Sequence, residues 1–109
     1  MIQVVLRLVA RPGRTAEMIR TLHSLMLPLR AGAGFVSCRL YQEADSPEAL
    51  CYVEEWRTSE ELDEQIRSNH YTRLLALMEE AAEPPGFQLN WITAVKGLDY
   101  LEAVRLAEH

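Results

Sequence analysis

The chain opens on an apolar, β-branched run, residues 2 to 10, interrupted only by Gln3 and Arg7. Such a run predicts a first strand. Arg11-Pro12-Gly13 breaks it. A helix is then expected from Arg14 or Thr15, because Met18, Ile19, Leu22, Leu25, Met26 and Leu29 recur at helical spacing. Pro28 lacks a backbone donor, so the last turn should distort or stop there. Gly32 and Gly34 free the chain to turn into a second strand, Phe35 to Glu43. There Val36, Cys38 and Leu40 should face one way, and Ser37, Arg39 and Tyr41 the other.

Asp45-Ser46-Pro47 is turn chemistry, and Leu50 to Arg57 returns as a third strand, antiparallel to the second. Leu50, Tyr52, Glu54 and Trp56 share one of its faces; Cys51, Val53, Glu55 and Arg57 share the opposite one. Thr58 and Glu61 form a capping box that opens a short helix with Leu62 and Ile66 inward. Ser68 is a candidate N-cap for a longer helix carrying Tyr71, Leu74, Leu75, Met78 and Ala82 on one side. Glu83-Pro84-Pro85-Gly86 ends that helix. Phe87 to Val95 reads as a fourth strand, with Phe87, Leu89, Trp91 and Thr93 on one face. Residues 98 to 107 read as a terminal helix whose apolar positions are Leu98, Leu101, Val104 and Leu106.

Strand, helix, strand, strand, helical pair, strand is the order of the ferredoxin-like βαββαβ fold, an α+β architecture. Its antiparallel sheet carries helices on one face only. The other face also bears apolar side chains and needs a cover. A second copy of the sheet is the natural one, which predicts a homodimer with sheets packed face to face. Residues 1–96 form the domain, and residues 97–109 form a helical extension expected to pack on the partner subunit or across its own pocket mouth.

At 109 residues the chain is one domain, with a core small enough that oligomerisation would add useful stability. The net charge of −5 and the scattered arginines exclude non-specific nucleic-acid binding. No apolar run approaches a membrane span, and the start has no basic n-region or cleavage site, so a cytoplasmic protein is expected. Cys38 and Cys51 lack zinc-site spacing and read as buried free thiols. The three His are dispersed without matching acidic residues, so no metal site is expected.

Arg11-Pro12-Gly13-Arg14, Glu54-Glu55-Trp56, Ser59-Glu60-Glu61-Leu62 and Ser68-Asn69-His70-Tyr71, in that order and spacing, resemble the antibiotic biosynthesis monooxygenase (ABM) domain family of the dimeric α+β barrel superfamily. The resemblance covers residues 2 to 96. It implies chemistry in which an electron-rich substrate reduces dioxygen directly, with no cofactor. The protein then binds, deprotonates and shields a small aromatic or quinol-type molecule. The haem-degrading branch is poorly matched, because Leu6 and Leu75 stand where its Asn and ligand His would be. The anthrone-oxygenase pattern meets Tyr52 and Leu62 at its Asn and Tyr positions. The quinol monooxygenase pattern fits best, through Glu54-Glu55-Trp56 and His70, although Gln65 stands where a His is common.

Each candidate residue has two readings. Trp56 either walls a pocket, its indole donating to a bound oxygen, or anchors strand three in the core. Glu54 is either a desolvated base with a raised pKa or the partner of an arginine such as Arg39. His70 follows the break between two helices, where an imidazole can exchange protons near neutral pH; otherwise it caps a helix or bonds a carbonyl. Tyr41, Tyr52, Tyr71 and Trp91 either line an aromatic pocket or pack. His23 and His109 should be solvated. The competing class is a non-catalytic ligand-binding or structural dimer. The discriminating feature is whether the face of Tyr52, Glu54 and Trp56 opens to a cavity of roughly 300 Å3 or more, as a small ligand requires. A filled core there would sink both the enzyme and the ligand-binding readings.

Overall fold

A computed structural model describes residues 1–107, so the expected solvation of His109 lies outside the described residues. The first strand, β1, is Ile2–Val9. Ile2, Val4, Leu6 and Leu8 alternate into the core at 3% exposure or less, as a half-buried strand requires. Helix α1, Thr15–Met26, buries Met18, Leu22 and Leu25. Pro28 converts the continuation into a 3-10 turn, Leu27–Ala31, which still buries Leu29.

Strands β2, Phe35–Gln42, and β3, Ala49–Trp56, follow as a hairpin. Helices α2, Ser59–Ile66, and α3, Asn69–Glu79, then cross to β4, Gly86–Trp91, and the chain ends in α4, Leu98–Ala107. The sheet order is β2-β3-β1-β4 with every neighbouring pair antiparallel. This is the ferredoxin-like arrangement. β1 and β3 are central, so the residues they point at the helices are the most deeply covered.

Several side chains depart from their expected faces. A bulge between Phe35 and Ser37 sets Phe35 opposite Trp56 and leaves Val36 exposed, while Phe35, Cys38 and Leu40 pack on the core. The inward stripe of α3 is Tyr71, Leu74 and Leu77, continued by Ala81; Leu75 and Ala82 face solvent. Only Leu62 of α2 is buried, and Ile66 is exposed. β4 stops at Trp91, so Thr93 and Val95 lie outside it. Cys38 and Cys51 are free but only half-buried.

Both expected caps form in altered versions. The Glu61 amide donates to Thr58 Oγ1 at 3.2 Å, but the Glu61 carboxylate accepts from the Thr58 hydroxyl instead of its backbone amide. Ser68 is the N-cap of α3 in backbone conformation, yet its hydroxyl donates back to the Gln65 carbonyl at 2.6 Å. The turn before β2 needs Gly34, which has φ +80° and lies so close to Glu61 that a Cβ would fall 2.3 Å from its carboxylate.

The face of the sheet away from the helices is mixed. Val5 and Val53 pair at its centre, flanked by polar contacts of Asn90 with Gln3, Ser37 with Glu55 and Arg7 with Glu43. Helix α4 buries none of its residues. Leu98, Tyr100, Leu101, Val104 and Leu106 are all exposed, as are Trp91 and Val95 before it. This arm helps give a radius of gyration of 16.5 Å, against about 13 Å for a compact chain of this length. Among the described residues, no helix is long and apolar enough to cross a membrane.

Candidate functional site

The alternation of β3 points Leu50, Tyr52, Glu54 and Trp56 at the helices. Three of them form one polar cluster with the start of α3. Glu54 is 0% exposed and is the only buried charged residue among those described. Its Oε2 accepts from the Tyr52 hydroxyl at 2.5 Å; its Oε1 accepts from Trp56 Nε1 at 2.9 Å and from the Tyr71 hydroxyl at 2.8 Å. His70 Nε2 lies 3.6 Å from Glu54 Oε2. That is too long for a good hydrogen bond, and Nε2 is buried without a partner. Protonation of His70 would make this an ion pair.

The electrostatics follow from this packing. Burial pushes the Glu54 carboxyl up, but nearby His70 and the hydrogen bonds from Tyr52, Trp56 and Tyr71 outweigh it, and the pKa ends below the ordinary 4.5. Glu54 is therefore a firm anion and a poor base. The expected raised pKa is not found, and Arg39 is not its partner, since it pairs with Val53 on the opposite face. Burial, then the charge of Glu54, pushes the phenols of Tyr52 and Tyr71 far up. Both stay protonated and remain donors. Cys38, opposite Glu54 on β2, has its thiol pushed up to about 11, mainly by burial.

The tertiary fold thus gathers Tyr52, Glu54, Trp56, His70 and Tyr71. It does not gather the other two aromatic candidates. Tyr41 pairs with Cys51, on the opposite face of the sheet from Tyr52, and is exposed. Trp91 shares a rung with Ile2 and Trp56 on the helix side, but it sits at the far edge and is 61% exposed. His23 is exposed, as expected.

Among the described residues, the face of Tyr52, Glu54 and Trp56 is a filled core and does not open to the expected cavity. Tyr52, Glu54 and Trp56 are each 0% exposed. Phe35 closes the Trp56 end, edge to face at a centroid distance of 5.8 Å, and Gly32 presses close enough that a Cβ would come 3.1 Å from the indole. Tyr52 and Trp56 are packed donors to Glu54, not pocket walls. His70 is the member that reaches solvent, its side chain 9% exposed. Two open cavities lie elsewhere, one of about 530 Å3 between Arg11, Arg14, Met18 and Leu77 and one of about 620 Å3 along β2. No group of three or more His, Cys, Asp or Glu among the described residues is arranged to hold a metal ion.

Cys38 is a further neighbour of the cluster, opposite Glu54 on β2. Its only sequence signal was an inward position directly across the hairpin from Glu54.

Comparison with solved structures places this geometry in context. A conserved protein from Methanosarcina mazei Go1 is 28% identical, over 82% of this chain and 89% of that chain, with a TM-score of 0.74. Rv0793 from Mycobacterium tuberculosis is 26% identical, over 88% and 98%, with a TM-score of 0.77. A solved antibiotic biosynthesis monooxygenase shares the fold at 19% identity, over 86% and 100%, with a TM-score of 0.74. No curated protein matches significantly. The family pattern of the antibiotic biosynthesis monooxygenases matches residues 1–77, from β1 to Leu77 on α3, and so includes the whole polar cluster. By that match over most of its length, the chain belongs to the antibiotic biosynthesis monooxygenase family.

Proposed function

We propose that the protein is a cofactor-independent monooxygenase of a small, electron-rich aromatic or quinol-type molecule, working as a homodimer. The observation that carries this reading is the unpartnered His70 Nε2, 3.6 Å from a fully buried carboxylate. Burying an anion in so small a core is costly unless it is well paired, and an orphaned buried nitrogen is rare and calls for an explanation. A histidine that turns Nε2–H toward a fixed anion, leaving Nδ1 as the base, supplies one.

In this mechanism His70 takes the proton of a substrate hydroxyl. Glu54 stabilises the imidazolium that results. Tyr52, Trp56 and Tyr71 are positioning residues that keep Glu54 anionic and in place. The deprotonated substrate supplies the electrons. A quinol and dioxygen give a hydroxyquinone and water, one oxygen atom entering each product. The substrate meets His70 at the α2–α3 junction. There the first turn of α3 has no side-chain cap, because Ser68 is engaged with Gln65, so that turn opens at lower cost than a capped one.

The closed packing around Tyr52, Glu54 and Trp56 favours a second reading, a non-catalytic dimer module in which the cluster only fixes the core. Oxygen uptake with a panel of quinols and anthrones decides between them. The oxygenase reading expects turnover in the wild type, loss of at least tenfold in kcat for His70→Ala, and a smaller loss for Trp56→Phe. No uptake with any substrate, or turnover indifferent to both changes, favours the structural module.

The dimer reading draws on the uncovered Val5–Val53 face and on α4. Since α4 buries none of its residues, and a ten-residue helix is marginal alone in water, the partner subunit is its proposed dock.

A further inference from the structure

The face of the sheet away from the helices has a charge pattern of its own. Register sets Ser37, Glu55, Gln3 and Asn90 on one rung across the four strands. The next rung is Arg39, Val53, Val5 and Gln88. Among the described residues, Arg7 pairs with Glu43 and Glu83, and Arg57 with Glu61. Glu55 and Arg39 make no ion pair. They are diagonal neighbours on adjacent strands, yet the Glu55 carboxylate turns to Ser37, whose hydroxyl donates to Oε1 at 2.5 Å.

The face therefore presents one anion and one cation without a counter-ion, on either side of an apolar centre. Covering it strips water from both charges, and an unpaired buried charge is expensive. A two-fold interface lays one patch on its own copy, so each charge can meet its opposite twice. Strands lie about 4.8 Å apart and two residues advance about 6.8 Å, which fixes the axis that exchanges Arg39 with Glu55. It crosses between them and continues over the Val53–Val5 pair. The same axis thus sets the apolar centre on its own copy.

Resting on the dimer proposed above, we infer that this face takes a second copy of the chain in one register, held by two reciprocal ion pairs. Arg39 of each subunit meets Glu55 of the partner subunit, and Val5 and Val53 pack between the pairs. Such charges select the register and exclude others, because a shifted copy leaves them unmatched or sets like against like.

Sedimentation at micromolar concentration with charge-reversed full-length chains tests the register. Arg39→Glu and Glu55→Arg should each weaken the dimer at least tenfold, since each sets like charges together twice. An equimolar mixture of the two should associate as the wild type does, because the mixed dimer restores both pairs. A pair formed within one chain would gain nothing from mixing. Arg20→Glu, an equal charge change on α1, should leave the dimer intact. Arg39 and Arg20 are exposed, so both variants should keep the wild-type circular dichroism, and Arg39→Glu decides alone should Glu55→Arg misfold. An unweakened Arg39→Glu dimer overturns the register, as does a mixture no tighter than either variant by itself. A wild-type monomer refutes the dimer as well; a wild-type dimer indifferent to both reversals refutes the register only.

Discussion

His70 Nε2 sits 3.6 Å from Glu54 Oε2, and both atoms are buried. Glu54 accepts from three donors, two on Oε1 and one on Oε2, so Oε2 can still accept from His70, whose Nε2 bonds to nothing. The pair behaves as an anion with a reserve base beside it.

Substitutions at Glu54 should separate hydrogen bonding from charge. Glu54→Gln retains an oxygen for Trp56 and Tyr71, and the Tyr52 hydroxyl can rotate to accept from the new amide. A loss of about 1–3 kcal/mol is expected. Glu54→Ala orphans all three donors and opens a void, and should cost about 3–5 kcal/mol. Urea unfolding measures both. Equal losses would mean that the donors find other partners.

The depressed pKa of Glu54 sets an acid limit. A carboxyl that is more acidic folded than unfolded adds stability above the unfolded value near 4.5, and that stability disappears as pH falls through the folded value. Unfolding free energy should therefore drop on acidification below about pH 4.5. The drop should be shallower in Glu54→Gln, which has nothing to titrate there. Parallel pH profiles for the two proteins would contradict the assignment.

Gly34 combines a left-handed backbone with the closest approach to Glu61. Gly34→Ala should cost about 1–2 kcal/mol from backbone conformation alone, and more from the clash with the carboxylate. Adding Glu61→Ala should relieve only the clash. If the double variant is no better than the sum of the singles, the two residues do not press on each other as described.

For the arm, sedimentation of the full chain should give a dimer at micromolar concentration. Deleting residues 97 to 109 should weaken association by at least tenfold. A full-length monomer would refute the dimer, and an unaffected dimer would refute docking of α4 on its partner.

The periodicity of hydrophobic residues carried most of the fold. β1, α1, β3 and the helical pair stand close to where apolar spacing, Pro28, Thr58 and Ser68 put them, because those signals act within a few residues of chain. The misplaced residues share one cause. Leu75, Ile66 and Val36 are apolar at positions that fit a stripe, yet whether an apolar residue is covered depends on the neighbouring element. The bulge that turns Val36 out comes from pairing with β3, which no local pattern records.

The candidate site divides the same way. That Tyr52, Glu54 and Trp56 share a face was legible in the residue order, since strand alternation is a local geometric rule. The same order marked His70 and Tyr71 at a helix start. The packing of α3 on the sheet is what lays Tyr71 and His70 onto Glu54, from 17 residues away in the case of Tyr71, and leaves Tyr41 and Trp91 outside. The same packing turned Glu54 from a prospective base into a stable anion, because a carboxylate's basicity depends on the donors around it, and Tyr71 and His70 join Tyr52 and Trp56 only through the packing of α3.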